Sequence, residues 1–407
     1  MNSDVVVIGG GAAGMMCAAF AAERGLEVIL LEPNRMMGKK LRITGKGRCN
    51  VTNNCDVKTI MANIPGGGKF LYSALNRFPP QAVMELFENL GVPLKTERGN
   101  RVFPVSDKSA DIVGALQNYM DSTGVRVLNR AATGLVIEDG AITGVRTKTG
   151  VISCRNAVLC TGGVSYPLTG STGDGLTFAK QAGHTITPCR ASLVPLESPD
   201  AYCAQMQGFS LRNVTLSAFE DDKLIYKELG EMLFTHFGVT GPLVLSASAH
   251  MRKMGEAQYR LEIDLKPALD EEKLDARILR DFEEQKNKEF KNALGGLAGR
   301  TMIPVLVELS GIDPETKVHS ITRQQRRDLV HLFKHFPVAV SGTRPFSEAI
   351  VTAGGVALNE VNPRTMESKL TSGLYFAGEV LDLDAYTGGF NLQIAWSTAY
   401  VAGNAVQ

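Results

Sequence analysis

Four apolar residues, Val5 to Ile8, run directly into Gly9-Gly10-Gly11-Ala12-Ala13-Gly14. A short uninterrupted apolar run reads as a strand buried on both faces of a parallel sheet. The small residues of 12–24 read as a helix, and 27–32 (Glu-Val-Ile-Leu-Leu-Glu) as a second buried strand. Together these make a βαβ unit of about 30 residues and commit the start of the chain to a layered α/β fold. Each part of the turn has a physical task. Gly9 admits the tight bend, Gly11 lets main-chain N–H groups reach a pyrophosphate, and Gly14 lets the helix lie close against the strand. Ala12 and Ala13 open the helix, whose unpaired N–H groups and positive dipole end suit phosphate. Glu32 can accept hydrogen bonds from a ribose, and its charge disfavours a 2′-phosphate there. G-x-G-x-x-G alone is a weak pattern. Set between a buried strand and a helix, with an acid closing the second strand, it reads as dinucleotide binding rather than a plain glycine-rich turn.

The chain has 407 residues, too many for one core, so two or three domains are expected. Residues 33–70 show no clear period. Helices are expected over 80–91 and 109–123. Short strands at 125–130, 134–138, 141–147 and 151–154 form a meander, and a buried strand at 156–160 ends in Thr161-Gly162-Gly163. From about residue 190 strands dominate (193–197, 211–219, 224–227, 257–264), then helices (269–294, 298–309, 322–335), then strands at 337–341 and 346–352. A last buried strand at 373–377 leads through Gly378 and Gly388-Gly389 into a closing helix, 391–405. Glycine sites at the start, the middle and the end suit a cofactor bound in extended form. That favours FAD over NAD, because a nicotinamide dehydrogenase would place its substrate domain soon after the first nucleotide fold.

Hydrophobic residues make up 44% and charged residues 21%, and the net charge of +1 gives no bulk field toward nucleic acid or a membrane surface. Seven scattered cysteines, an odd number, suit a reducing cytoplasm better than a disulfide framework. No metal-type Cys/His spacing stands out, so no metal is expected. The apolar run at 5–8 is cut at once by glycine, which argues against a signal peptide or a membrane span. Nothing in the sequence sets an oligomeric state.

A more specific pattern is Thr44-Gly45-Lys46-Gly47-Arg48-Cys49-Asn50-Val51-Thr52-Asn53. With the first glycine turn, this resembles the YhiN-type flavoproteins, also called BaiN/RdsA-like, which include enzymes described as aminoacetone oxidases. Further matching stretches are Arg101-Val102-Phe103-Pro104, Thr161-Gly162-Gly163 with 170–175, Gly230 through His236 to Gly238, Gly354-Gly355-Val356, Gly378-Glu379, and Gly388-Gly389-Phe390-Asn391-Leu392-Gln393. The resemblance spans nearly the whole chain. It implies a Rossmann-like FAD domain of the glutathione-reductase type (1–190 with 342–407), an inserted β-barrel-like domain (191–266 with 331–341) and a helical sub-insert (267–330). It also implies that Lys40, Thr44, Gly45, Gly47, Arg48, Cys49 and Asn50 lie along the flavin and its phosphates. Gly378, Glu379, Gly388, Gly389, Asn391, Leu392 and Gln393 would cover ribityl and ring. Lys46 and Arg48 would place positive charge beside the anionic cofactor, and the closing helix would aim its N-terminus at the ring. The sequence departs from the family pattern at Ala385, where glycine is frequent, and at Phe390, where tyrosine is frequent; both bear on the ring-facing pocket.

Flavin carries the redox chemistry, so the protein's task is to bind, orient and tune it. Cys49 and Cys55 are spaced C-x5-C rather than the C-x4-C of disulfide reductases. Gly295-Gly296-Leu297-Ala298-Gly299 follows a helix and so offers no second nucleotide unit. Cys49 is therefore expected to pack rather than react. His236, in a glycine-bounded motif, is either an acid/base group or a structural histidine on a turn. Tyr166 and Tyr386 are proton donors or pocket walls. The basic run Arg323, Arg326, Arg327 and Lys334 reads as a solvated helix face, with an RNA contact as the sharper alternative. The function that the resemblance implies, and the one expected here, is reduction of a conjugated C=C bond in a small carbonyl-bearing substrate of bile-acid or steroid enone type, with NAD(P)H as a transient donor. The alternatives are an oxygen-dependent amine oxidase of the aminoacetone type, a ribosomal RNA uridine reductase, and a non-catalytic FAD-stabilised binding protein.

Overall fold

A computed structural model describes all of residues 1–407. The chain packs as two compact units, Met1–Ser192 with Pro345–Gln407, and Leu193–Arg344.

The first unit is built on a five-stranded, wholly parallel sheet. Its strands are β1 (Val5–Ile8), β2 (Val28–Leu31), β3 (Arg126–Leu128), β4 (Asn156–Leu159) and β5 (Leu374–Phe376), in the order β5-β4-β1-β2-β3. Val5 pairs with Val28 on one side and Asn156 on the other, so the apolar run that opens the chain lies at the centre of the sheet. All four residues of β1 are buried, which is why the strand reads as continuously apolar rather than alternating. The helices α1 (Ala12–Glu23) and α2 (Phe390–Ala405) cross in close contact. A methyl group at Gly403 would lie 2.7 Å from the Cys17 carbonyl, so a small residue there is what permits the approach. Phe20, Phe78 and Tyr400 seal one end, with Phe78 and Tyr400 stacked at 4.5 Å. Trp396 is fully buried and donates its indole N–H to the Val51 carbonyl at 2.8 Å. The meander appears as three antiparallel strands, Ala132–Glu138, Ala141–Thr147 and Gly150–Ser153.

The second unit holds a seven-stranded sheet, antiparallel throughout. Its two edge strands, Phe336–Val340 and Gly342–Thr343, are consecutive in sequence and joined by Ser341 alone. A one-residue link cannot span an open sheet, so the sheet must curl until its edges meet as a barrel. The helices Glu271–Glu284, Ile303–Ser310 and Arg323–Lys334 share one apolar core with the barrel strands, in which Phe282, Phe290, Phe333 and Phe336 are buried. Thr322 and Gln325 form a reciprocal capping box at the start of the last helix.

Several boundaries differ from the sequence expectation. The helix expected over 269–294 ends at Glu284 and resumes only as the short turn Phe290–Ala293. The next begins at Ile303, with Pro304 in its first turn, where the missing N–H is harmless. Residues 346–350 are not a strand. Glu348 N–H bonds to the Pro345 carbonyl and forms a turn, and extended pairing starts at Val351. No helix is long and apolar enough to cross a membrane.

His184 is buried in the first unit, its Nε2 2.7 Å from Ser368 Oγ and its ring edge-on to Phe376 at 4.8 Å. Burial holds its pKa below the ordinary imidazole value of 6.5, and the nearby Glu360 carboxylate only partly opposes this. The folded state therefore binds fewer protons than the unfolded one once pH drops below that value. Stability is intact above it and is lost as pH falls through the lowered folded value, by up to about 1.4 kcal/mol per pH unit. Urea midpoints measured between pH 7.5 and 5.5 should fall with acid, and His184→Gln should flatten that fall. Equal slopes in the two proteins would remove His184 from the effect.

Candidate flavin-binding site

The first glycine turn shows why each glycine is needed. Gly9 adopts φ +108°, and a methyl group there would meet the Cys160 carbonyl oxygen at 2.6 Å. At Gly14 the methyl would sit 1.8 Å from the Gly9 carbonyl oxygen, so α1 rests directly on the turn that precedes it. Gly11 is the opposite case: nothing lies within 4 Å of a methyl built there. It caps α1 with no side-chain hydrogen bond, which leaves the first-turn amides facing open space. Glu32 closes the end of β2. One carboxylate oxygen accepts the Gly10 N–H at 2.8 Å; the other accepts the main-chain and side-chain N–H groups of Asn34 at 2.8 and 2.7 Å. The oxygen bound by Gly10 keeps lone-pair capacity for a ribose hydroxyl, while the other is filled by Asn34.

Residues 44–50 form a tight loop tied to itself. Cys49 N–H donates to the Thr44 carbonyl, Arg48 N–H to the Gly45 carbonyl, and Thr44 Oγ1 to the Leu41 carbonyl. Gly45, Lys46, Gly47 and Cys49 all have positive φ, between 57° and 85°. For lysine and cysteine this is a strained conformation that the surroundings must enforce. Cys49 is fully buried, and burial pushes its thiol pKa up to about 12; Cys55 is pushed up to about 11 for the same reason. Neither is a thiolate at neutral pH, which opposes a dithiol mechanism. Arg48 departs from its expected role. Its guanidinium is engaged by Glu97 and Asp107 and lies 4.0 Å above the Phe103 ring, so its charge is already matched within the protein. Lys46 is exposed and stays available.

The middle and C-terminal stretches close on the same part of the first unit. Thr161 Oγ1 would lie 1.9 Å from a methyl at Gly175, and Thr352 Oγ1 would lie 2.4 Å from one at Gly163. Thr352 Oγ1 accepts the N–H groups of Val164 and Ser165 and so holds the Thr161-Gly162-Gly163 turn in place. Glu379 accepts from Lys40 Nζ at 2.7 Å, from Thr352 N–H at 2.8 Å and from Ser165 Oγ at 3.2 Å. Gly378 lies against Ala13 of α1, and its N–H donates to Thr398 on α2. Gly389, φ +98°, caps α2 and presses against the Thr52 main chain, where a methyl would approach to 2.4 Å. Asn53 Nδ2 donates to the Gly388 carbonyl.

Two predicted cofactor ligands use their side chains to hold the protein instead. Gln393 is fully buried, donating to the Phe78 carbonyl and Ser397 Oγ and accepting from Thr52 Oγ1. Asn391 grips the main chain of Ala385 through both ends of its amide, at 2.9 and 2.7 Å. Any flavin contact at these two positions falls to main-chain atoms, and Leu392 beside them is half-buried. Tyr386 is half-buried on the loop that Asn391 grips, with its N–H on the Asn63 carbonyl. Tyr166 is held at φ +51°. His236 belongs to the second unit, exposed on the turn between strands Lys223–Thr235 and Gly238–Thr240, its ring edge-on to Phe237.

Bound FAD suits these residues. Besides the open space over Gly11, two buried polar atoms of the expected cofactor stretches, Asn50 Oδ1 and Thr161 Oγ1, have no partner in the protein. Buried polar atoms are usually satisfied, so a ligand group fits at Asn50 Oδ1; Thr161 Oγ1 lies instead against Gly175. Thr352, Ser165 and Asn34 were not anticipated from the sequence, since each acts on a partner brought near only by the fold.

A parallel sheet with a glycine turn at its central strand, and two further glycine turns beside it, defines an FAD-dependent oxidoreductase of Rossmann type. The chain belongs to the HI0933-like family: the model for the HI0933-like protein Rossmann domain matches residues 3–405. It is 31% identical over 413 residues to a 3-dehydro-bile acid delta(4,6)-reductase of Clostridium scindens, covering 98% of each chain. It is 33% identical over 409 residues to a ribosomal RNA dihydrouridine synthase of Haemophilus influenzae, covering 98% of this chain and 97% of that one. Among solved structures, the 3-ketosteroid-delta4-(5alpha)-dehydrogenase of Rhodococcus jostii RHA1 aligns with a TM-score of 0.52 at 15% identity, covering 99% of this chain and 97% of that one, a likeness of fold.

Gly11 and Gly14 should respond differently to substitution. Gly11→Val should fold like the parent and lose at least about 100-fold in FAD affinity, roughly 2.7 kcal/mol, because its side chain fills the phosphate space. Gly14→Ala should instead lower the melting temperature of the apoprotein, because its methyl has no room. Absorbance of the purified proteins and thermal melts of the apo forms separate the two.

Proposed function

We propose that this enzyme uses FAD to reduce a carbon–carbon double bond conjugated to a carbonyl in a small substrate of the bile-acid or steroid enone type, with NAD(P)H as the electron donor. The cradle in the first unit carries the flavin part of this reading: open space over Gly11 at the start of α1, with the unpartnered Asn50 Oδ1 in a stretch expected to line it. The bond type is supported by the relatives. A delta(4,6)-reductase of a 3-dehydro bile acid and a dihydrouridine synthase both act on a C=C bond in conjugation with a carbonyl, one in a ring ketone and one in uracil.

Bound FAD supplies two-electron hydride chemistry. The residues of this chain position and tune it. The uncapped N-terminus of α2, behind Gly389, offers positive dipole to developing negative charge. The Lys40–Glu379 pair, locked by Ser165 and Thr352, keeps a fixed dipole on the wall of the cradle. Reduction of an enone needs a proton at the α-carbon. Tyr386, on the loop fastened by Asn391, and His236, on the barrel turn, are the candidate donors. The donor nucleotide would visit the flavin transiently, since Gly295–Gly299 lies in a turn after a short helix and no second strand–glycine–helix unit is present.

RNA as substrate is the second reading, favoured by the Haemophilus relative. The basic helix gives it little support. Arg326 is bound in two-point fashion to Asp275 at 2.6 and 3.1 Å, and Lys334 is tied to Asp264 and to main-chain carbonyls. That leaves Arg323 and Arg327 exposed beside Asp328.

Anaerobic stopped-flow mixing with NADH or NADPH should bleach the flavin band, and a 3-keto-Δ4 or Δ4,6 enone should restore it. Bleaching without reoxidation by any enone, but with reoxidation by a uridine-containing ribosomal RNA fragment, would replace the first reading with the second. Tyr386→Phe and His236→Ala should both keep the yellow colour. The variant that loses at least about 100-fold in enone turnover, the lower end of the usual range for a general acid, identifies the proton donor.

A further inference from the structure

The helix Arg323–Lys334 carries His331 in its last turn, and His335 is its C-terminal capping residue. Residues four apart share a helix face, and here the two imidazole centroids are 4.6 Å apart with their planes inclined by 30°. Glu271, the first residue of the helix Glu271–Glu284, meets them from the neighbouring element. One donor atom from each of the three lies within 4.8 Å of the other two, and all three side chains are exposed. Behind them, Glu262 on a barrel strand has a carboxylate oxygen 3.0 Å from His335 Nδ1. A carboxylate on one ring nitrogen fixes the tautomer, orients the ring and makes the other nitrogen a better ligand. Glu262 also pairs with Arg260 through its other oxygen, and further nearby cations are held by other partners. Lys334 donates to the Lys266 and Leu269 carbonyls, Lys273 pairs with Asp270, and Arg326 pairs with Asp275.

We propose that Glu271, His331 and His335 form a binding site for a divalent transition-metal ion of the zinc class, with water completing its coordination. Two imidazoles and a carboxylate suit zinc, nickel or copper and do not suit magnesium or calcium, which take oxygen ligands. Ligand atoms around tetrahedral zinc stand roughly 3.3 Å apart, so the three exposed side chains need only modest rotation to close on the ion. The ion would bridge the N-terminus of one helix to the C-terminus of another, joining positions 271 and 335 within the second unit. Because it would bind the folded chain and not the dispersed ligands of the unfolded one, it would stabilise that unit by mass action. The sequence alone leads to the expectation of no metal, since two histidines four apart make an incomplete ligand set. Its third ligand and its supporting glutamate come from other elements, so only the fold assembles the site.

Calorimetric titration of the EDTA-treated full-length protein with zinc chloride at pH 7.5 tests this. The wild type should bind one equivalent that His331→Ala/His335→Ala weakens at least about 100-fold, while Glu262→Gln, which leaves every ligand in place, should weaken it by about tenfold. Zinc should also raise the melting temperature of the wild type and leave that of the double variant unchanged. If the double variant folds poorly, His335→Gln alone serves the same comparison. No saturable binding to the wild type, or equal binding by wild type and histidine variants, would overturn the proposal.

Discussion

The approach of α1 to its own preceding turn is the contact on which the rest of the first unit depends. Gly14 lies so close to the Gly9 carbonyl, and Gly9 to the Cys160 carbonyl, that no side chain fits at either position. This closeness brings the helix amides level with the ends of β1 and β4 and sets the turn after β4 directly beside them. From there Thr352 fixes Thr161–Gly163, and Glu379 links that turn to Lys40. A helix displaced by one methyl would separate donors that a pyrophosphate must reach together.

Much of the polar chemistry near the cradle holds backbone rather than reaching for a ligand. Glu32 secures Gly10, Asn391 secures Ala385, Asn53 secures Gly388, and Gln393 joins Thr52 to Phe78. Such bonds contribute modestly one at a time, about 0.5–1.5 kcal/mol for neutral pairs. Their joint effect is to fix main-chain N–H groups in positions that unsupported loops would not keep, which is the preorganisation that electrostatic stabilisation requires. The buried, high-pKa thiols of Cys49 and Cys55 fit this picture, since the chemistry is left to the flavin and the loop is left to shape.

The sequence made the local features legible. The central strand, the glycine turn, Glu32 and the closing helix are each defined by neighbours within a few residues or by a short spacing. Features that depend on distant partners were hidden. Arg48 reads as a phosphate ligand until Glu97 and Asp107, some 50 and 60 residues away, are seen to take its charge. Gln393 and Asn391 sit in a flavin-associated motif, yet their side chains serve the interior because Phe78, Thr52 and Ala385 converge on them. Closure of the barrel follows from a single residue, Ser341, between its two edge strands. That inference requires the strand order, which periodicity does not carry. The strand expected over 346–352 begins only at Val351, because the turn at Pro345 intervenes before pairing can begin.

The central claim is that main-chain amides from three separated stretches converge on one bound FAD. Hydrogen–deuterium exchange of the apoprotein with and without saturating FAD tests it most directly. The account predicts new protection concentrated at residues 11–14, 161–163 and 389–392. Uptake of FAD with protection confined to one of these stretches, or with none in any of them, would contradict it.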